Sequence, residues 1–82
     1  MRVPTVHLNG TGKDRLIEGY LNAHTSLRDA QKALEEIEFN PRDYYVQGPE
    51  AWEEAKREMN IRFEIIAKVQ NEIDQILEAI DK

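Results

Sequence analysis

The chain reads as all-α: an antiparallel two-helix hairpin with a short extended N-terminal segment, assembling with copies of itself into an oligomeric helical bundle. Three observations predict this. Leu16, Tyr20, Ala23, Leu27, Ala30, Leu34 and Ile37 step by alternating three and four residues, the a/d spacing of packed helices. Trp52, Ala55, Met59, Arg62, Ile66, Val69, Ile73, Ile76 and Ile80 repeat the pattern. Between the two runs stand Asn40-Pro41 and Gly48-Pro49. A residue before proline is pushed out of the α region, so the first helix stops there.

The elements follow in order within a single domain, residues 1–82. The N-terminal segment, 1–11, carries Pro4, with Val6 and Leu8 alternating with Thr5, His7 and Asn9. That is an extended pattern, placed to lie along the hairpin or reach a neighbouring subunit. Asn9-Gly10-Thr11-Gly12 is a turn feeding a helix, with Thr11 as N-cap and Asp14 three places on. The first helix is expected over 12–39 and the connection over 40–49. Pro49 suits the first turn of a second helix over 50–81. Pairing the helices about the centre of the loop sets Ile37 near Trp52, Leu27 near Arg62, Tyr20 near Val69 and Leu16 near Ile73.

Composition narrows the function. A chain of 82 residues buries a small core, and two helices bury less than a compact domain. There are no cysteines, so disulfides and thiolate metal sites are unavailable. Self-association is the remaining remedy. It would cover the apolar residues flanking the seam: Ile17, Leu21, Ile61, Phe63, Ile65 and Leu77. No run of about 18 apolar residues exists to span a membrane, and no apolar signal-peptide region begins the chain. The expectation is a cytoplasmic protein with no membrane partner. A net charge of −5 argues against a long nucleic acid. Residues 1–13 nonetheless hold Arg2 and Lys13 and no acid, so a small anionic ligand is allowed.

Three places carry candidate chemistry. Arg62 is the one charged residue of the predicted seam. A buried guanidinium needs a partner, so it either snorkels to the edge, pairs with an acid to fix register, or faces an anion in a pocket. Arg42-Asp43-Tyr44-Tyr45 puts a forked donor beside two stacking surfaces, the tools for holding a phosphate and a base. The structural alternative is that one tyrosine caps the bundle over Ile37 and Trp52 while Asp43 pairs with Arg42. Asn9-Gly10-Thr11-Gly12-Lys13 fails as a phosphate loop, because His7 stands at the first glycine position and Asp14 replaces the hydroxyl residue. Its free N–H groups and Lys13 still suit an anion, or serve as plain capping. The ligand-binding expectation therefore comprises Asn9, Thr11, Lys13, Arg42, Tyr44, Tyr45 and Arg62.

Catalysis is not expected. The Glu-Glu-x-x-Glu magnesium clusters of all-helical nucleotide pyrophosphatases are incomplete: Glu53-Glu54 is followed by Arg57, and Glu35-Glu36 by Phe39, where the third carboxylate belongs. His7 and His24 are too few for a histidine metal site. Tyr20 and His24, an i, i+4 pair, read as a satisfied packing contact. No cofactor is expected.

A small, cysteine-free, acidic helical hairpin that must oligomerise resembles the phage-encoded sponge proteins that sequester nucleotide signals of bacterial defence, the helical anti-CBASS sponges in particular. The resemblance covers architecture and the kinds of residue available and rests on no matched motif. It implies a non-catalytic oligomer holding a cyclic nucleotide or cyclic ADP-ribose type signal between subunits, in the host cytosol if phage-encoded. The alternative is an adaptor or structural hairpin that binds a partner protein's helix along its apolar stripe.

Overall fold

The computed structural model describes residues 1–81, which are all-helical with no strand. Helix α1 spans Lys13–Glu35 and α2 spans Ala51–Asp81, joined through two 3₁₀ turns, Pro41–Asp43 and Tyr45–Gln47. The two long helices pack side by side and run in opposite directions: His24 meets Asp74, and Gln31 meets Gln70. The molecule is a rod, 60 × 22 × 17 Å. Its radius of gyration is 18.4 Å, against about 12 Å for a compact chain of this length.

α1 begins one residue later than expected, and Thr11 does not cap it. Gly12 takes the N-cap position in extended conformation. Its carbonyl accepts from the Leu16 N–H at 3.1 Å, with no side-chain cap. Asp14 still lies in the first turn and Lys32 in the last, where each complements the helix dipole. Before α1 the segment forms no strand. It bends at Leu8–Gly10, where the Gly10 N–H donates to the His7 carbonyl at 3.1 Å.

The larger correction is at the other end of α1, which stops at Glu35 rather than reaching residue 39. Pro41 holds Asn40 in extended conformation (φ −146°, ψ 157°), and the Asn40 Oδ1 accepts from the Arg42 N–H at 3.0 Å. Phe39 is drawn away from the helix onto Trp52, with ring centroids 4.7 Å apart. The chain from Glu36 to Glu50 thus folds along the first turns of α2 instead of making a tight turn.

That loop shifts the register. Pairing about the loop centre puts His24 opposite Ile65 and Gln31 opposite Glu58. The observed partners lie about nine to twelve positions further along α2, roughly 14–18 Å at 1.5 Å per residue. None of the four predicted pairs, Leu27–Arg62, Ile37–Trp52, Tyr20–Val69 and Leu16–Ile73, fits this register, which sets the start of α1 level with the last turns of α2.

The seam also departs from a strict heptad. Phe63 and Gln70 are half-buried, while Arg62 and Val69 are exposed; Gln31 takes the place expected of Ala30. A straight α-helix drifts about 20° per heptad against a 3.5-residue repeat, so a stripe counted at three-four spacing slides off the contact face. Ile17, Phe63 and Leu77 move into the packed stripe, and Ile37 moves out of it, 50% exposed. Gln70 donates to Gln31 at 3.0 Å, so the seam is partly polar.

The resulting core is thin. Only Ala55 and Ile80 are buried among the described residues, and neither completely, while Leu21, Ile61 and Ile65 stay at least half exposed. The accessible surface is 6621 Å². A compact monomer of 9.6 kDa exposes about 5,100 Å². No helix among the described residues is long and apolar enough to cross a membrane.

Candidate functional site

The predicted site residues fall into two groups at opposite ends of the rod. Arg42, Tyr44 and Tyr45 lie on the connection, which packs against the start of α2. Asn9, Thr11 and Lys13 lie at the start of α1 and are all exposed. Lys13 lines a shallow recess with Pro4, Thr5 and Val6 and with Ala79 and Ile80 of the last α2 turn. The length of α2, about 46 Å for its 31 residues, separates the two groups. Arg62 belongs to neither. It is exposed about 16 Å along α2 from the loop end, and it has no ion-pair partner among the described residues.

At the loop end the two tyrosines part company. Tyr44 sits edge-on to Phe39 with centroids 5.7 Å apart, and 5.8 Å from Trp52. Its ring closes a three-ring cluster, with Phe39 in the place the sequence suggested for Ile37. Tyr45 begins the next 3₁₀ turn and is 70% exposed, followed by Val46 at 76%. Arg42 is exposed and makes no ion pair with Asp43. The backbone here is well supplied with partners. Asp43, Tyr44, Gln47 and Gly48 donate to Asn40, Pro41, Tyr44 and Tyr45 in turn, at 3.0–3.4 Å. Gly48 then turns into α2 with φ +124°, a region glycine reaches without steric cost.

This loop presents one free guanidinium and one free aromatic face on a backbone pinned by the ring cluster behind it. Lys56 closes the other flank: its Nζ lies 5.6 Å from the Trp52 ring centre and 2.9 Å from Glu53. A cation over an aromatic face strengthens that wall modestly. Phe39 is the member that sequence reasoning missed. The available signal was three aromatic residues, Phe39, Tyr44 and Trp52, bracketing a proline-initiated loop.

Midway along the rod, the His24 Nε2 lies 3.0 Å from a carboxylate oxygen of Asp74. His24 is thus a satisfied packing residue, with Tyr20 half-buried one turn earlier. No group of three or more His, Asp or Glu residues among those described is placed to hold a metal ion. Glu53, one of the acids weighed as a magnesium ligand, instead pairs with Lys56.

No family model matches the chain, and no curated protein or solved structure is similar enough to count as a match.

Proposed function

We propose that this chain is a non-catalytic binding protein that assembles with copies of itself and sequesters a small nucleotide-like anion, of the cyclic nucleotide or cyclic ADP-ribose type, in the cytosol. The observation that carries the reading is the loop end. Tyr45 offers an exposed face for a base, and Arg42 offers a forked donor for a phosphate. Tyr44 supports the loop from behind through Phe39 and Trp52. Asn9, Thr11 and Lys13 lie a full helix length away in the same chain, so they complete such a site only from a second subunit.

Native mass spectrometry of the full chain tests this, first as taken from cells, then with a panel of cyclic di- and trinucleotides and cyclic ADP-ribose isomers. The expected result is a discrete oligomer gaining integral ligand masses that come off intact. Arg42→Ala combined with Tyr45→Ala should lower uptake at least tenfold while leaving the oligomer in place. An oligomer that takes up none of the panel overturns the ligand half of the proposal.

A second reading has its own support. Ile61, Ile65 and Val69 form an exposed apolar stripe at four-residue spacing, the kind of surface an adaptor offers to a partner's helix. A chain that stays monomeric in solution favours that reading.

A further inference from the structure

We infer that the middle of α2 is a two-fold interface on which a second copy of this chain packs antiparallel, with the axis at the level of Ala67, whose own side chain lies on the other side of the helix, and with Arg62 of each copy paired to Glu72 of the other. This deepens the self-association half of the function proposed above and rests on it.

The argument starts from spacing. Glu58, Arg62, Ile65, Val69, Glu72 and Ile76 step by four, three, four, three and four, so they share one face of α2. This face is distinct from the stripe that meets α1, where Phe63, Ile66, Gln70 and Ile73 are half-buried. On it Ile65 is 59% exposed and Val69 37%, Arg62 is exposed, and Glu72 and Ile76 are half-buried at its edge nearer the end of the helix. α1 ends at Glu35, and the loop packs back against Trp52, so this stretch of α2 keeps an uncovered apolar side.

Charge then selects the occupant. Arg62 lies five residues before Ala67 and Glu72 five residues after it, and neither has an ion-pair partner among the described residues. Two antiparallel copies related by a two-fold at Ala67 bring residues equidistant from it level with each other. Arg62 then meets the other copy's Glu72, twice, and Ile65 meets the other copy's Val69, twice. A parallel pair in register sets Arg62 on Arg62 and Glu72 on Glu72. An antiparallel pair centred on Ile65 sets Glu58 on Glu72. Both alternatives oppose like charges on a face whose centre is apolar. The first arrangement alone matches opposite charges at Arg62–Glu72 and apolar residues at Ile65–Val69, with Glu58 level with the other copy's Ile76 at its outer ends.

Area agrees. The chain exposes about 1,500 Å² more than a compact monomer of its mass, and a standard interface takes about 800 Å² from each partner. The same two-fold sets the loop end of one copy, with Arg42 and Tyr45, level with the Lys13 end of the other. The two separated groups of candidate ligand residues become neighbours along the rod axis.

Charge exchange tests the arrangement by sedimentation equilibrium on the full chain, with helix content followed by circular dichroism. R62E alone opposes Glu to Glu twice, and E72R alone opposes Arg to Arg twice. Each should weaken self-association at least tenfold. An equimolar mixture of the two variants should form a heterodimer, and R62E/E72R in one chain should restore self-association to within about threefold of wild type. A merely structural role for either residue predicts no rescue. If the wild type self-associates and neither single change weakens it, this face is wrong, while self-association through another surface stands. If the wild type is monomeric at 100 µM or so, both the interface and the oligomeric reading fall, and the stripe belongs to a different protein.

Discussion

At the loop end, Trp52 lies against Phe39 and Tyr44. Three turns further along the same helix, Ile61, Ile65 and Val69 face solvent. Both stretches of α2 carry large apolar side chains at helical spacing, and their sequences give no obvious warning of different fates. What separates them is what lies opposite. The connection folds back on the first turns of α2, so the aromatic residues find partners within about a dozen positions in sequence. The middle of α2 has α1 on one side only. Local closure covers Trp52 from within the chain, whereas the exposed side of the middle remains open to another molecule.

The largest expected effect breaks the closed region. Trp52→Ala removes the ring shared by Phe39, Tyr44 and Lys56. Aromatic-to-alanine changes in packed sites cost about 3–5 kcal/mol, and Trp52 is only half-buried, which puts the loss near about 3 kcal/mol. For a chain of this size that lowers the melting temperature by about 12–24 °C. Thermal melts at one fixed protein concentration read it, since association shifts stability with concentration. A loss under about 1 kcal/mol would mean that the cluster is not what holds the loop.

A pair of glycine changes sharpens the same contrast through the backbone. Gly48 has φ +124° at the entrance to α2, and a Cβ there would touch nothing within 4 Å. The cost of Gly48→Ala is therefore conformational, about 1–3 kcal/mol. Gly19 lies inside α1, also with open space around a Cβ. Gly19→Ala should stabilise by about 0.5–1 kcal/mol. Urea melts of the two variants should move in opposite directions. A shared direction would contradict the backbone assignment at one of the two sites.

The two regions also differ in how well the sequence announces them. The periodic runs and Asn40-Pro41 locate both long helices, because amphipathic spacing and a proline breaker act locally. The end of α1 at Glu35 is not local. It depends on Phe39 finding Trp52 across the loop, a contact that no spacing rule supplies. The register follows from that loop: a connection treated as a simple turn pairs the helices about its centre, and one that folds along α2 displaces them by several turns. Arg62 shows the same limit. A strict three-four count places it in the seam, and the helix's 3.6-residue period turns it outward in favour of Phe63. Of the candidate site, the exposed Arg42 and Tyr45 were legible as residue types. The division of labour between Tyr44 and Tyr45 was not, because adjacent residues of one kind are told apart only by which ring reaches the cluster.

The smallest expected effect lies between the two regions, at the His24–Asp74 contact. Its geometry is good, 3.0 Å, but His24 is 26% and Asp74 58% exposed at the side chain. Exposed pairs of this sort contribute about 0–1 kcal/mol because water and salt screen them and two side chains lose freedom to make them. A double-mutant cycle with His24→Ala and Asp74→Ala should give a coupling of about 0.5 kcal/mol or less. The contact sits on the side of the helix pair where Ile17, Leu21 and Leu77 line a shallow groove with Glu78 and Asp81, away from the Arg62–Glu72 face. Assembly through that face leaves the pair wet, so the coupling should stay small at every protein concentration. A coupling above about 2 kcal/mol that grew with concentration would mean the copies meet over His24 and Asp74 instead, and would move the interface to the opposite side of the rod.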